Sequence, residues 1–297
     1  MISSPLVSVI IPAYHGQQRI ARAVKSIFQQ DYTNWEIVII SDDMSDYEKV
    51  LADQGIRSDK IVFCSTEAVA SGEGNARNIG LENAKGDFVI QLDCDDACHP
   101  ERISKMLPLA KEYGAAISNI AMIDEKTGLK LANFNKPAPD DKVFPEQVIR
   151  CSFHTMNVAM FDRNKITHRY HHFKRYADYI FLMQMFNVIP CIGYCNEKLY
   201  DYYKYEGSIT NFSSNPDEIA RSFTELAQEI KFQVGVGSVE LKSPGLKEIV
   251  CGDMDLWIGA QEYFVASAAH DPQLKFHEII GPFLEQWPLP ASLLAAR

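Results

Sequence analysis

The stretch DFVIQLDCDD, residues 87–96, decides the fold. Phe88 to Leu92 is apolar but for Gln91, which suits a strand covered on both faces in a parallel sheet. It breaks off into Asp93, Asp95 and Asp96, three carboxylates within four residues. Carboxylates at that density repel one another unless a cation lies among them, and hard oxygen ligands of this kind suit Mg2+ or Mn2+. A cation held there can neutralise charge on a departing diphosphate. The competing reading is a solvated acidic turn capping the helix that Pro100 opens. The ten residues alone leave both open.

Outward from this stretch the same pattern recurs. Val7–Ile11, Glu36–Ile40, Lys60–Cys64 and Ala115–Ile120 are further apolar, strand-like runs. Between them Ile20, Val24, Ile27 and Phe28 fall at helical spacing, as do Ile103, Met106, Leu107 and Ala110. Asn75 to Lys85 reads as a helix closed by Gly86. Alternating strands and helices predict an α/β fold with a mostly parallel central sheet flanked by helices. Ligands of such sheets bind beyond the carboxyl ends of the strands, and the polar clusters at 12–15, 42–46 and 93–96 all fall there.

Beyond this half, residues 125–150 read as a loop, with Pro137, Pro139 and Pro145. A strand or turn is expected over 153–161, a helix over 176–186 and a strand over 189–194. After about Asn211 the alternation stops, and 218–232 and 246–269 read as amphipathic helices. The expected division is a main domain over 1–211, with a first half to about 122 and a second half from 123, and a helical C-terminal extension over 212–297.

The chain has 297 residues, 46% of them hydrophobic, and a net charge of −10. A diffuse acidic balance argues against a nucleic-acid-binding protein. No run approaches the roughly 18–20 apolar residues of a membrane span, and Met1 to Pro5 carry no basic leader. A cytoplasmic protein is expected. The seven cysteines are odd in number, which disfavours a disulfide framework. Cys94/Cys98 and Cys191/Cys195 share the spacing C-x3-C, so a zinc site competes with buried, hydrophobic cysteines, the favoured reading.

Four other clusters carry chemistry. Asp43, in Ser41 to Asp46, can accept the imide N–H of uracil, against the alternative of an Asp-rich helix cap. Pro12 and Tyr14 close the first strand, and Tyr14 can lie against a flat base or serve as an ordinary core tyrosine. Gly72 to Asn78 leads into a helix, where the helix N-terminus and Arg77 form a natural anion site, or Arg77 is a surface residue. It matches neither a Walker motif nor a dinucleotide fingerprint. Asp178 opens a helix, and can take a proton from an acceptor hydroxyl or interact with the helix dipole.

Taken in order, these segments resemble the inverting family-2 glycosyltransferases with the GT-A fold, over roughly residues 5–210. The family's "SVIIPAYN" appears as residues 8–15, its "VDDGSTD" as 40–46, and its "ARNxGxxxAxGeyixfLDsDD" as 76–96. The resemblance implies that Asp43 binds the base with Pro12 and Tyr14 near it, and that Arg77 contacts the nucleotide or diphosphate. It implies that Asp93 lies by the ribose and metal, Asp95 ligates Mn2+ or Mg2+, and Asp178 is the base. Within the acidic turn, Asp96 is then expected to be a structural cap and Cys94 a spacer. His15 stands where the family has Asn, Met44 where it has Gly, Ala177 where it has Glu and Tyr179 where Trp is common. The late segment "YRxHxGSxT" appears as 202–210, with Tyr205 at the position of a histidine that sometimes ligates the metal.

The expected reaction is transfer of a sugar, with inversion, from a nucleotide-diphosphate sugar (a UDP-sugar first) to a hydroxyl of a glycan or lipid-linked acceptor in surface polysaccharide synthesis. Two rivals stand beside it: a catalytically silent nucleotide-sugar-binding or assembly subunit, and a sugar nucleotidyltransferase. The second usually carries an early glycine-rich basic loop, which Pro12 to Arg19 does not supply. The C-terminal helices are expected to pack on the main domain. A homodimer contact, or peripheral contact with the inner membrane face, is the alternative; Asp253, Asp255 and Glu262 interrupt the apolar stretch that membrane contact needs.

Overall fold

In this structure, a computed structural model, continuous apolar runs become strands because both sheet faces are covered. Val9, Ile11, Ile37, Ile39 and Ile90 face one hydrophobic cluster, while their neighbours Ile10, Val38, Ile40 and Val89 face another. Each such side chain, fully buried, contributes about 1.5–3 kcal/mol relative to exposure. The structure describes residues 4–131, 140–148, 159–173, 176–205, 215–270 and 283.

The elements are β1 (Val7–Ala13), α1 (Ile20–Phe28), β2 (Trp35–Ser41), α2 (Tyr47–Asp53), β3 (Ile61–Ser65), α3 (Glu73–Asn83), β4 (Phe88–Gln91), β5 (Ala97–Cys98), α4 (Arg102–Tyr113) and β6 (Ala115–Asp124). There follow β7 (Lys142–Val143), β8 (Met160–Asp162), α5 (Ala177–Met185), β9 (Ile192–Lys204), α6 (Pro216–Gly235) and α7 (Leu246–Ala268). The sheet runs β3-β2-β1-β4-β8-β6-β9-β5, with β7 on β9. Its first four strands are parallel. The short β8 joins β4 to β6 antiparallel on both sides, and β6 and β9 are again parallel. The parallel half is therefore the one expected from the alternation, and antiparallel pairing enters where it stops.

Ile20, Val24 and Ile27 of α1, Leu51 of α2 and Ile103 and Met106 of α4 cover one face. The other is covered by Ala76 and Leu81 of α3, by α5, and by Ala227, Ile230, Val250 and Leu256 of the two C-terminal helices. Those helices thus share the cluster that contains β1 and β2. No helix among the described residues is long and apolar enough to cross a membrane. Expectations over 132–139 and 149–158, including Pro137, Pro139 and Cys151, fall outside the described residues, as do residues 206–214.

Two differences from expectation are local. Pro100 precedes the helix, which starts at Arg102 with no side-chain cap, and Pro108 lies inside it. The strand expected over 189–194 extends to Lys204, thirteen residues in all, because β6 pairs with it from Gly193 to Lys204 across a bulge near Asn119.

A small hydrogen-bond knot ties α3 to the sheet. The Ser8 hydroxyl donates to Glu36 at 2.6 Å and accepts from Gly86 N–H at 2.8 Å, while Lys85 N–H donates to Glu36 at 2.6 Å. A Cβ on Gly86 would lie 2.7 Å from the Leu6 carbonyl oxygen and the Ser8 nitrogen, both backbone atoms. Gly86→Ala is therefore expected to lower stability by about 1–3 kcal/mol, read as a lower urea midpoint at unchanged slope.

Candidate functional site

The loops after β1, β2 and β3 meet through two neighbouring carboxylates. Asp42 accepts from the Thr66 hydroxyl at 2.7 Å, Ser71 N–H at 3.0 Å, the Ser71 hydroxyl at 2.6 Å and Gly72 N–H at 3.1 Å. Asp43 accepts from His15 N–H at 2.8 Å, Gln17 at 3.0 Å, the Tyr47 hydroxyl at 3.1 Å, Ser45 N–H at 3.1 Å and the Ser41 hydroxyl at 3.2 Å. Burial works to raise the Asp43 pKa, but the His15 and Ser45 amides and the Ser45 and Tyr47 hydroxyls outweigh it and hold the carboxyl below the usual range. Five donors exceed the roughly four lone-pair sites of a carboxylate, so an imide N–H can reach Asp43 only by displacing one of them. The capping alternative belongs to Asp46, which accepts Lys49 N–H at 2.8 Å at the start of α2. Tyr14 is exposed beside His15, their rings 4.1 Å apart, and Pro12 is half-buried in β1.

These loops hold non-glycine residues in left-handed backbone: His15 (φ 53°), Met44 (φ 61°), Glu67 (φ 56°) and Ala70 (φ 55°). The fifth described residue of this kind, Tyr176 (φ 59°), precedes the helix of Asp178. The two departures at 15 and 44 thus fall where Asn and Gly are the residues that tolerate positive φ.

The second cluster is built on the first turns of α3. Arg77 is 1% exposed, and its guanidinium pairs with Glu73, one turn earlier, and with Asp93 beyond β4 at 2.9 Å. Burial opposes its charge, but Glu73 and Asp93, with Tyr170 and Asp178 behind them, raise its pKa further. Arg77 is therefore not a surface residue, and its path to any anion runs by way of Asp93. Asn78 fixes the opposite wall, donating to the Tyr170 carbonyl at 3.0 Å and accepting Tyr170 N–H at 2.8 Å. The Tyr170 hydroxyl accepts from Gln91 at 2.5 Å, and its ring stacks on Phe181 of α5 at 3.9 Å. A Cβ on Gly74 would lie 2.5 Å from the His171 carbonyl oxygen, so only glycine allows this approach.

Asp178 sits in the first turn of α5 and joins this cluster electrostatically. Burial and Glu73 push its pKa up to about 6, against the pull of Arg77. Asp93 is pushed up to about 7 by burial, with Glu73, Asp95 and Asp178 adding to it and Arg77 opposing. One buried cation thus faces a surplus of carboxylates.

The rest of the acidic turn is held by β9. Asp96 accepts the Tyr200 hydroxyl at 2.6 Å and Tyr203 N–H at 2.8 Å, and Asp93 N–H donates to the Tyr200 oxygen at 3.2 Å. Asp96 is structural, as expected, but it ties the turn to β9 and does not cap α4. Tyr205 donates its hydroxyl to Asp95 at 2.8 Å, and burial and Asp95 raise its pKa, so it stays a donor. The Arg19 and Arg22 guanidiniums lie over the Tyr205 and Tyr203 rings at 3.7 and 3.6 Å. Glu125 pairs with both arginines at 2.9 Å, and Arg22 also donates to the Asp95 carbonyl.

Among the described residues no group of three or more His, Cys, Asp or Glu side chains is arranged to hold a metal ion. The C-x3-C pairs belong to no such group, and Cys94, Cys98 and Cys191 are buried and not in disulfides. One or two carboxylates fit Mg2+ or Mn2+, which complete their shells with water and ligand phosphates. Asp93 and Asp95, within a surplus of negative charge, meet that requirement.

Glu73, Tyr170, Arg19, Arg22 and Glu125 were not singled out from sequence. Only Glu73 carried a local signal, its i,i+4 spacing to Arg77.

A family model described as glycosyl transferase family 2 matches residues 8–176. The UDP-Glc:alpha-D-GlcNAc-diphosphoundecaprenol beta-1,3-glucosyltransferase WfgD of Escherichia coli is 39% identical over 93 residues, 31% of this chain and 35% of that one. The amylovoran biosynthesis glycosyltransferase AmsB of Erwinia amylovora is 28% identical over 154 residues, 48% of this chain and 50% of that one. The first curated relatives are matched over only 38–45% of their length. The crystal structure of S. aureus TarS residues 1–349 in complex with UDP-GlcNAc superposes with a TM-score of 0.57 at 17% identity, covering 94% of this chain and 91% of that one. The shared fold is GT-A.

Two outcomes test the geometry. Met44→Gly relieves a left-handed side chain and is expected to raise stability by about 1 kcal/mol, seen in a denaturant titration. Arg77→Met leaves half-buried Asp93 without its cation and is expected to lower stability most above pH 8, a deficit that shrinks in the same titration as pH falls through about 7 and Asp93 takes up a proton.

Proposed function

The chain belongs to glycosyl transferase family 2, and on that premise we propose that it is an enzyme transferring a sugar, with inversion, from a nucleotide-diphosphate donor. We read the donor as a UDP-sugar, and the acceptor as a hydroxyl of a glycan or lipid-linked saccharide in surface polysaccharide assembly. The observation that carries this is the meeting of Asp178 with the Arg77–Asp93 pair, three residues from distant segments, with Asp178 pushed up to about 6. A base with that pKa is ionised at neutral pH and still holds a proton well. The donor class is supported by WfgD, named for UDP-Glc, and by TarS, crystallised with UDP-GlcNAc. The acceptor class is supported by the diphosphoundecaprenol in the WfgD name.

In this mechanism the Asp178 carboxylate takes the proton of the acceptor hydroxyl. The acceptor oxygen forms its bond to the anomeric carbon from the face opposite the leaving group. The bond from that carbon to the phosphate oxygen breaks, and the electron pair leaves with the nucleoside diphosphate. Held by Asp95 and Asp93, Mg2+ or Mn2+ would supply electrostatic stabilisation of the departing diphosphate. Arg77 orients Asp93, and Tyr205 orients Asp95. Tyr14 and Pro12 border the base, and Asp43 shapes its pocket by holding the loops after β1 and β2. Residues 1–211 form the catalytic domain in this reading, and a lipid-linked acceptor draws the protein to the inner membrane face.

Thermal-shift screening of nucleotide sugars with and without Mn2+ is expected to give one specific, metal-dependent stabilisation; no response to any of them would sink the reading. Asp178→Asn is expected to lower kcat by roughly 100- to 10,000-fold with UDP binding retained, whereas a silent subunit shows binding and no turnover in the wild type. The wild-type kcat/KM is expected to fall as pH drops through about 6, where Asp178 gains its proton. Stability runs the other way. A folded pKa of about 6 above the ordinary 3.8 gives stability that is full below about pH 4 and lost as pH rises through 6. The Asn variant should therefore melt higher than wild type at pH 7.5 and lose that advantage at pH 4.

A further inference from the structure

The two residues that bracket Ala177-Asp178 are both held by the C-terminal helices. The Tyr179 hydroxyl, fully buried, donates to the Asp253 carboxylate of α7 at 2.5 Å. Asp253 is itself buried, so this contact is shielded from water. Tyr176, on the other side, packs its ring against Trp257, one turn further along α7, at 5.1 Å. It also meets Phe223 of α6 at 6.0 Å, and Phe223 stacks on Trp257 at 6.1 Å. Tyr176 caps α5 in a left-handed conformation that packing must hold in place.

We infer that α6 and α7 clamp the Asp178 turn, and that Asp253 is a positioning residue acting on the base through Tyr179. The inference rests on the preceding reading of Asp178 as the base. A hydroxyl bonded to a buried carboxylate is a directional, charge-assisted tether, stronger than a neutral one. It fixes the rotation of α5 about its axis and hence the direction in which the adjacent Asp178 points. Aromatic packing on Tyr176 fixes the start of the helix. The helices beyond residue 215 thereby position the base, although they contribute no group to the reacting atoms.

The test compares Tyr179→Phe, which removes the tether and keeps the ring, with Asp253→Asn, which keeps an acceptor for the hydroxyl. Two readouts are used: hydrogen exchange of peptides covering 176–185, and steady-state kinetics with the sugar nucleotide that the thermal screen identifies. Tyr179→Phe is expected to speed exchange in that segment and to lower kcat by about 10- to 100-fold, with the donor KM within about twofold. Asp253→Asn, which leaves the hydroxyl only a neutral acceptor, is expected to fall between the wild type and Tyr179→Phe, with kcat about 3- to 10-fold lower and intermediate exchange. Unchanged exchange in Tyr179→Phe overturns the clamp whatever the kinetics. Faster exchange with unchanged kcat overturns the positioning role, and so does a matching rise in KM with kcat intact. If the wild type turns over no sugar nucleotide, the reading of Asp178 fails separately, and the exchange data still decide the clamp.

Discussion

Burying the Arg77 guanidinium is the constraint around which the site is arranged. A charge with 1% exposure needs carboxylates within reach. Glu73 supplies one from the same helix and Asp93 the other from the end of β4. The pair joins α3 to the strand that carries the acidic turn. The same helix is locked to the wall behind it by Asn78 and by the close approach at Gly74. Burial, together with the surplus of carboxylates over the arginine, holds Asp93 and Asp178 above the ordinary range. On the proposed reading, that leftover negative potential is what a bound cation would relieve and what would suit Asp178 to accept a proton.

Backbone strain follows the same map. The five described non-glycine residues with positive φ lie on the loops after β1, β2 and β3 and at the entry to α5. Each such conformation costs of order 1–3 kcal/mol. The carboxylates of Asp42 and Asp43, each gathering several donors, supply the compensation on the loops. A rigid sheet edge thus carries loops that are held, rather than relaxed, in shape.

Much of this was legible in the sequence. The runs at 7–11, 36–40 and 87–92 announced strands because neighbouring residues fall into two different cores, which leaves no polar face. Placing polar clusters beyond those strands followed from the topology alone. What the sequence hid is long-range. Tyr205 was brought near Asp95 by the family resemblance alone, nothing near Asp178 announced Asp253, and nothing near Arg19 announced Glu125. Asp43 showed the limit of reading a residue by its neighbours: its acidity was visible, but two of the five donors that occupy it, His15 and Gln17, come from the loop after β1. Glu73 was readable in principle, as an acid one turn ahead of an arginine, and became meaningful only once that arginine proved to be buried.

The tyrosines of β9 bear on how the molecule comes into being. Asp96 and Asp95 receive Tyr200, Tyr203 and Tyr205 from 104, 107 and 110 residues further along the chain. During synthesis at about 5–20 residues per second, the acidic turn leaves the ribosome many seconds before anything that can hold it. The amino-terminal half therefore carries the acidic turn without its β9 partners until β9 inserts beside β6. Such non-local closure is slow to form, and it makes completion of this turn a late event of folding.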